Sequence, residues 1–331
     1  MRAIVVDEFG PPERLQVGEM PSPRPGPGEV LVEVHMAPVN YVDLLVVGGT
    51  YQSLPACPFI PGKGPAGVVT ALGPGVTVPR VGDRVLAMAE QGGYAELTAV
   101  GADQCYRLPP RMSFVEAASL SLVYDTAWFA LRERARLAPG ETVLVLGASG
   151  GVGQAAVQLA RAIGARVLAG VSRPEKAAAA RAAGAQTVID LSSENLRETL
   201  REQVWAATDG RGADVILDPL GGDVFAAALR VLAWCGRLVV IGFAAGHIPT
   251  VKANYLLLKN IEVSGLQVSD YRKRRPTQMA ACFADIFELY EQGRIKPAPA
   301  EIFPLDQAAE ALAAVRDRRV AGRAVLRLGE D

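Results

Sequence analysis

The chain has 331 residues, 34 Lys and Arg against 35 Asp and Glu, and a formal net charge of -1. That length exceeds what a single hydrophobic core sustains, so two domains are expected, and the balanced charge argues against a nucleic-acid or membrane-surface partner. Hydrophobic residues make up 50% of the chain, yet no run approaches the ~18 apolar residues that would span a bilayer, and charge and proline interrupt the N-terminus too early for a secretory signal.

The first third reads as strands and turns. Pro-Ser-Pro-Arg-Pro-Gly-Pro-Gly at 21–28 is a rigid turn, and Val30-Leu31-Val32-Glu33-Val34 alternates as a half-buried strand does. Glycine-punctuated runs, Gly67-Val68-Val69 and Gly82-Asp83-Arg84-Val85, continue an irregular, mainly β domain to residue 122. From Thr142 the period changes. Strands are expected to begin near Val143, Val167, Thr187, Val215, Leu238 and Ile261, separated by alanine-rich helices such as 152–163 and 174–183. Buried parallel strands are continuous apolar runs, as Val143-Leu144-Val145-Leu146 is, and strands alternating with helices predict an α/β, doubly wound Rossmann sheet. The tail should form helices over 277–292 and 305–316 and a last strand over Ala324–Leu328, and it is too short to fold alone. The expected division is therefore 1–122 with 267–331, around a dinucleotide domain of 123–266. The basic run Arg272, Lys273, Arg274 and Arg275 reads as a solvated helix start before Pro276, or as a clamp for the phosphates of a large substrate such as an acyl-CoA.

Cys57, Cys105, Cys235 and Cys282 lie far apart with no C-x-x-C, and His35 and His247 are the only histidines. Such spacing cannot build a structural zinc site locally and leaves little for a histidine metal centre or a Ser-His-Asp triad. A reduced, cytoplasmic protein without a metal is expected.

Val143 to Ala160 reads as strand, glycine turn and helix. Gly147, Gly150 and Gly153 recur at spacings of three, with Ser149 in place of the second glycine of G-x-G-x-x-G and Gly151 following. Glycines there permit a tight turn and bring backbone N–H groups to a pyrophosphate on the helix N-terminus. The end of the next strand selects the cofactor. NAD-binding chains carry an acid about 20 residues past the glycines, but here Val171 holds that place, followed by Ser172, Arg173 and Lys176. A hydroxyl and two cations suit the 2′-phosphate of NADPH; the alternative is that both cations are solvated helix-start charges.

With these motifs the chain resembles the medium-chain dehydrogenase/reductase superfamily, and within it the zinc-independent NADPH:quinone oxidoreductases. The resemblance spans the whole length and rests on Asn40-Tyr41-Val42-Asp43, Gly49-Thr50-Tyr51, Pro58-Phe59-Ile60-Pro61-Gly62, the glycine turn, Asp218-Pro219-Leu220-Gly221-Gly222, and Gly236 to Phe243. It implies a GroES-like catalytic domain made from both chain ends, and a homodimer paired through the last Rossmann strand, Ile261–Leu266. Where zinc-bearing relatives hold metal with Cys, His and Cys, this chain has Asn40, Lys63 and Leu122, and the resemblance implies a metal-free reduction. It also implies that Asn40, Asp43 and Tyr51 line a cleft near the nicotinamide, that Thr126 faces the ring, and that Val152, Gly242 and Phe243 contact the cofactor. Asn40 would donate an amide N–H to a carbonyl. Tyr51 would hydrogen-bond, stack or simply pack, and Asp43 would anchor the loop or act as an acid. Relatives keep Gly-x-Glu or Gly-x-Asp where this chain reads Gly62-Lys63-Gly64. Lys63 is thus a candidate catalytic cation for the charge left on the acceptor, unless it turns to solvent or pairs with Asp43 or Asp125.

Three functions stay open: NADPH-dependent reduction of a quinone, reduction of an activated C=C bond in an enone, enal or enoyl-CoA, and NADPH binding without catalysis. Either reaction takes a small-molecule electrophile and neither nucleic acid nor membrane, whereas the non-catalytic alternative is a structural or nucleic-acid-associated protein.

Overall fold

The computed structural model describes residues 1–320 and 322–329. The chain forms two compact units: Met1–Leu122 with Arg272–Phe283 and Pro297–Asp331, and Val123–Tyr271 with Ala284–Lys296.

The second unit is a parallel sheet of six strands, Thr142–Leu146, Arg166–Val171, Thr187–Asp190, Ala213–Asp218, Leu232–Val240 and Glu262–Gly265. Their spatial order is third, second, first, fourth, fifth, sixth, with every neighbouring pair parallel. That order reverses direction between the first and fourth strands, the place where open α/β sheets bind ligands. Val143, Leu144, Val145 and Leu146 are at most 1% exposed, as a central parallel strand requires. The fifth strand begins at Leu232, earlier than the expected Leu238. A bulge hides its start: Ala213 pairs with Leu232 but Val215 with Arg237, Cys235 sits at φ 61°, and Trp234 is left exposed. The helix expected over 174–183 is divided into a 3-10 turn, Pro174–Lys176, and a helix, Ala177–Ala182.

The first unit holds a mostly antiparallel sheet of seven strands. Its path runs Ala300–Pro304, Arg323–Arg327, Glu29–Val39, Ala66–Leu72, Arg84–Ala87, Cys105–Arg107, and Leu97–Gly101 also pairs with Glu29–Val39. Arg323–Arg327 lies antiparallel to Glu29–Val39, with Val325 opposite Pro38, so both chain ends share one sheet. Ile4, Val34, Phe59, Leu312 and Leu326 pack in its core. Arg2–Val5 and Gln16–Glu19 make a separate pair.

Two expectations for the tail need correction. Residues 267–331 do not stay together, because residues 267–271 and Ala284–Lys296 belong to the second unit. There Asp285 accepts from the Trp128 indole at 3.1 Å, and Gln158 and Lys296 exchange two hydrogen bonds. The basic run leads into the helix Pro276–Glu291 as expected and also ends the one before it, Val268–Arg274, where cations complement the helix dipole, but it is not solvated throughout. Lys273, Arg274 and Arg275 are exposed, whereas Arg272 is only 3% exposed.

Candidate active site

In the second unit the expected cofactor residues, Thr126 apart, lie at or just beyond the C-terminal ends of sheet strands. Gly147 follows the first strand, and Gly150 precedes the helix Gly151–Ile163. Gly153 allows that helix to approach its own turn: a Cβ there would lie 2.3 Å from the Gly147 carbonyl oxygen. The helix has no capping side chain and no acid in its first turn, so the N–H groups of Gly151, Val152 and Gly153 and the positive end of its dipole suit an anion. Ser149 turns its carbonyl to the Gln154 side chain at 2.9 Å. The residues therefore fit a dinucleotide phosphate.

The second strand brings its end beside this turn, since Leu146 lies opposite Gly170 and Ala148 N donates to Gly170 O at 3.0 Å. Ser172 and Arg173 emerge exposed just past it, and Lys176 is half-buried in the following 3-10 turn. Gly242 and Phe243 follow the fifth strand, with Phe243 exposed against Gly221. Thr126, nearly buried on the helix Val123–Trp128, donates its backbone N–H to Asp125 Oδ1 at 2.8 Å. Asp218 is a residue to which sequence reading gave no role. Its Oδ1 accepts from Leu220 N at 2.8 Å and Gly221 N at 2.9 Å, which folds the Pro-Leu-Gly-Gly turn so that Leu220 lies against Gly147. The Asp-Pro-Leu-Gly-Gly string was its signal. Burial raises its carboxyl pKa against those two bonds.

In the first unit Asn40 caps the helix Tyr41–Val47 in a capping box with Asp43. Asp43 Oδ2 accepts from Asn40 N at 2.8 Å, Asn40 Nδ2 at 3.2 Å and Tyr94 OH at 3.1 Å. Asn40 Nδ2 also leans on Pro38 O, and Asn40 Oδ1 accepts from Arg323 at 2.7 Å. The Asn40 amide is thus turned inward on both sides, unlike the acceptor-facing donor expected for it. Asp43, 1% exposed, serves as the anchor of this loop, and burial pushes its carboxyl up to about 6 despite its donors and the nearby Lys63.

Lys63 stands between two glycines whose close neighbours bar any side chain. A Cβ on Gly62 would lie 2.3 Å from the Tyr94 ring and one on Gly64 2.1 Å from Ser121 Oγ. The acid that relatives carry at the Gly64 position has no room here. Lys63 donates to Glu90 Oε2 at 2.6 Å and Glu90 O at 2.9 Å. Its carboxylate partner is neither Asp43 nor Asp125, and it does not turn to solvent. One N–H is left uncommitted among the described residues, and Nζ lies 5.9 Å from the centroid of the half-buried Tyr51 ring. Glu90 also accepts from Arg272 at 2.9 Å. Burial alone would raise the Glu90 carboxyl, but Arg272 and Lys63 together hold it down at about 2.

Asn40, Lys63 and Leu122 do not make a zinc donor set. One amide is bound to Arg323, one ammonium to Glu90, and the third side chain is a hydrocarbon. Among the described residues no group of three His, Cys, Asp or Glu side chains is placed to hold a metal ion.

Residues 26–110 match the family model described as alcohol dehydrogenase GroES-like domain, and residues 151–285 that described as zinc-binding dehydrogenase. The chain is 37% identical over 328 residues to quinone oxidoreductase-like protein 2 homolog of Nematostella vectensis, covering 98% of this chain and 88% of that one. Quinone oxidoreductase of Escherichia coli complexed with NADPH superposes with a TM-score of 0.91 at 30% identity, covering 99% of this chain and 100% of that one. A third likeness, 32% identity over 99% of this chain, is to phthioceranic/hydroxyphthioceranic acid synthase of Mycobacterium tuberculosis, of which it spans 16%.

Proposed function

The chain belongs to the quinone oxidoreductase family of the medium-chain dehydrogenase/reductase superfamily, and on that premise we propose that it uses NADPH to reduce a quinone without a metal. The observation that carries this reading is the uncapped helix N-terminus behind the glycine turn, with Ser172, Arg173 and Lys176 in place of an acid. An Escherichia coli relative complexed with NADPH supports it. NADPH, when bound, supplies the hydride. The glycine turn holds the pyrophosphate, and the serine and two cations hold the 2′-phosphate. Asp218 keeps the neighbouring turn in place, and Thr126, Gly242 and Phe243 complete the cofactor site.

Reduction leaves negative charge on the acceptor oxygen, and the protein's task is to hold that charge. Lys63 suits it, with an ammonium fixed by two hydrogen bonds to Glu90 and one N–H remaining. Tyr51 offers a ring on which a planar acceptor stacks. Asn40, whose amide is engaged by Asp43 and Arg323, and Asp43 itself shape the loop that carries Tyr51. The likeness to one stretch of an acid synthase supports a second reading, reduction of an activated C=C bond in an acyl thioester.

The deciding experiment follows NADPH consumption against matched quinones, enones and enoyl thioesters, with and without a chelator. Quinones should turn over with the highest kcat/KM, unchanged by chelation. Faster turnover of enoyl thioesters would establish the second reading, and activity lost to chelator and restored by zinc would end the metal-free one.

A further inference from the structure

Lys63 and Tyr51 lie on different segments of the first unit, and one buried side chain, Tyr94, joins the two. The segment that ends at Tyr94 is zipped by its backbone to the turn that carries Lys63. Gly92 N donates to Ile60 O, Tyr94 N to Pro61 O, Gly93 N to Gly62 O and Gly64 N to Ala89 O, each at 2.9 to 3.0 Å. Tyr94 is fully buried, and its ring lies against Gly62, where a Cβ would come 2.3 Å from the ring carbon Cδ1. The turn carrying Lys63 therefore rests on the Tyr94 ring. The Tyr94 hydroxyl reaches the entry of the helix Tyr41–Val47, with Asp43 Oδ2 at 3.1 Å and Pro38 O at 3.3 Å. It has one proton to donate, and the carboxylate, nearer and charged, is the stronger acceptor. That helix in turn holds Tyr51, because Thr50 N and Tyr51 N both donate to Leu45 O, at 2.9 and 3.1 Å. A continuous path thus runs from the Lys63 turn through Tyr94 and Asp43 to the Tyr51 ring, whose centroid is 5.9 Å from Lys63 Nζ. Apolar packing along such a path is non-directional. A hydrogen bond to a buried carboxylate sets both distance and direction.

We propose that Tyr94 is a positioning residue, whose hydroxyl bond to Asp43 sets the placement of the Tyr51 ring relative to the Lys63 ammonium and so the geometry in which the acceptor is reduced. This rests on the reading that Tyr51 and Lys63 face the acceptor. It goes beyond that reading by naming a residue, in none of the motifs, that acts through both and carries none of the chemistry itself.

Tyr94→Phe removes the hydroxyl and keeps the ring against Gly62. The Asp43 carboxyl, which burial lifts to about 6, is titrated by carbon-13 NMR, and its midpoint should rise in Tyr94→Phe, since a donor to the charged form is lost. Turnover is then measured with whichever of the quinones, enones and enoyl thioesters the wild type reduces best. Its kcat/KM should fall roughly tenfold in Tyr94→Phe, as expected for a small displacement of a positioned group. The Kd and stoichiometry of NADPH binding should stay at their wild-type values. The same substitution made on top of Tyr51→Ala should cost about twofold at most, because residues that act through one another are not additive. A residue that only supports the fold would give the tenfold loss in either background, and that result overturns the proposal. A Tyr94→Phe enzyme with wild-type kcat/KM, or with an unmoved Asp43 midpoint, overturns it too. Asp43→Asn weakens the same bond from its other end and carries the cycle with Tyr51→Ala if Tyr94→Phe does not fold. A wild type that reduces no acceptor, with the Asp43 midpoint still raised by Tyr94→Phe, defeats the functional reading itself and the proposal with it.

Discussion

At the scale of single residues, burial and hydrogen bonding compete at Asp43, and burial prevails. Its carboxyl, ordinarily at 3.8, ionises only at about 6 in the folded protein. Between those values the folded chain keeps a proton that the unfolded chain has released, so stability falls as pH rises through the window and levels off above it. The cost is about 3 kcal/mol at its full extent. Glu90 works in the opposite sense: held down at about 2, it stabilises the fold above its ordinary value of 4.5 and is lost only in acid. Asp43→Asn should therefore remove most of the decline in unfolding free energy between about pH 4 and about pH 7, as read by urea denaturation at each pH. An undiminished decline would place its origin elsewhere. Arg173 is exposed, so its contribution appears only when the cofactor is bound. A charge-assisted phosphate contact contributes about 1.5–3 kcal/mol, so Arg173→Ala should raise the Kd for NADPH by roughly tenfold or more. The Kd for NADH, which lacks the phosphate, should stay the same, and equal losses would make Arg173 a surface charge only.

At the scale of elements, the junction of the strand Thr142–Leu146 with the helix Gly151–Ile163 depends on Gly153. The 2.3 Å clearance to Gly147 O is to backbone, which no rotamer change relieves. Gly153→Ala should force the helix off its turn at a cost of about 1–3 kcal/mol. Calorimetry should record a lower melting temperature, and titration should show weakened NADPH binding; a variant that binds NADPH as tightly as wild type refutes this account of the turn. This junction was legible in the sequence because glycine, apolar run and amphipathic helix are contiguous. The start of the fifth strand at Leu232 was not, since the bulge at Trp234, Cys235 and Gly236 interrupts the apolar pattern on which a strand is recognised.

At the scale of the molecule, the strand Glu262–Gly265 pairs, among the described residues, only with Leu232–Val240 and forms one edge of its sheet. Leu266 N donates inward to Val240 O, so alternation along the chain directs the Val263 N–H toward the open side. Pairing of two copies through this edge, implied by the family resemblance, would use that donor. Proline is tolerated on an edge strand where its missing N–H faces outward. Val263→Pro should leave the melting temperature of a dilute sample near wild type while abolishing self-association. Light scattering should give about twice 34.9 kDa for the wild type and 34.9 kDa for the variant. A wild-type monomer, or a variant that still dimerises, rules this edge out.

The sequence by itself determined the class of fold, the glycine turn and the absence of an acid after the second strand. Each is written in residues close together, through backbone periodicities that act within one element. Tertiary structure alone decided what the unit-one residues do. Lys63 meets Glu90 27 positions away, Arg272 meets Glu90 across 182, and Asn40 meets Arg323 across 283. Spacing carries no record of such pairs. They form only when the last strand, Arg323–Arg327, closes onto Glu29–Val39 and the segments around Lys63 and Glu90 zip together. That closure turned Asn40 inward, buried Arg272 of a run that reads as solvated, and gave Lys63 a partner. A charge is assigned its role by the groups that share its low-dielectric surroundings, and those groups are brought together only by the folded chain.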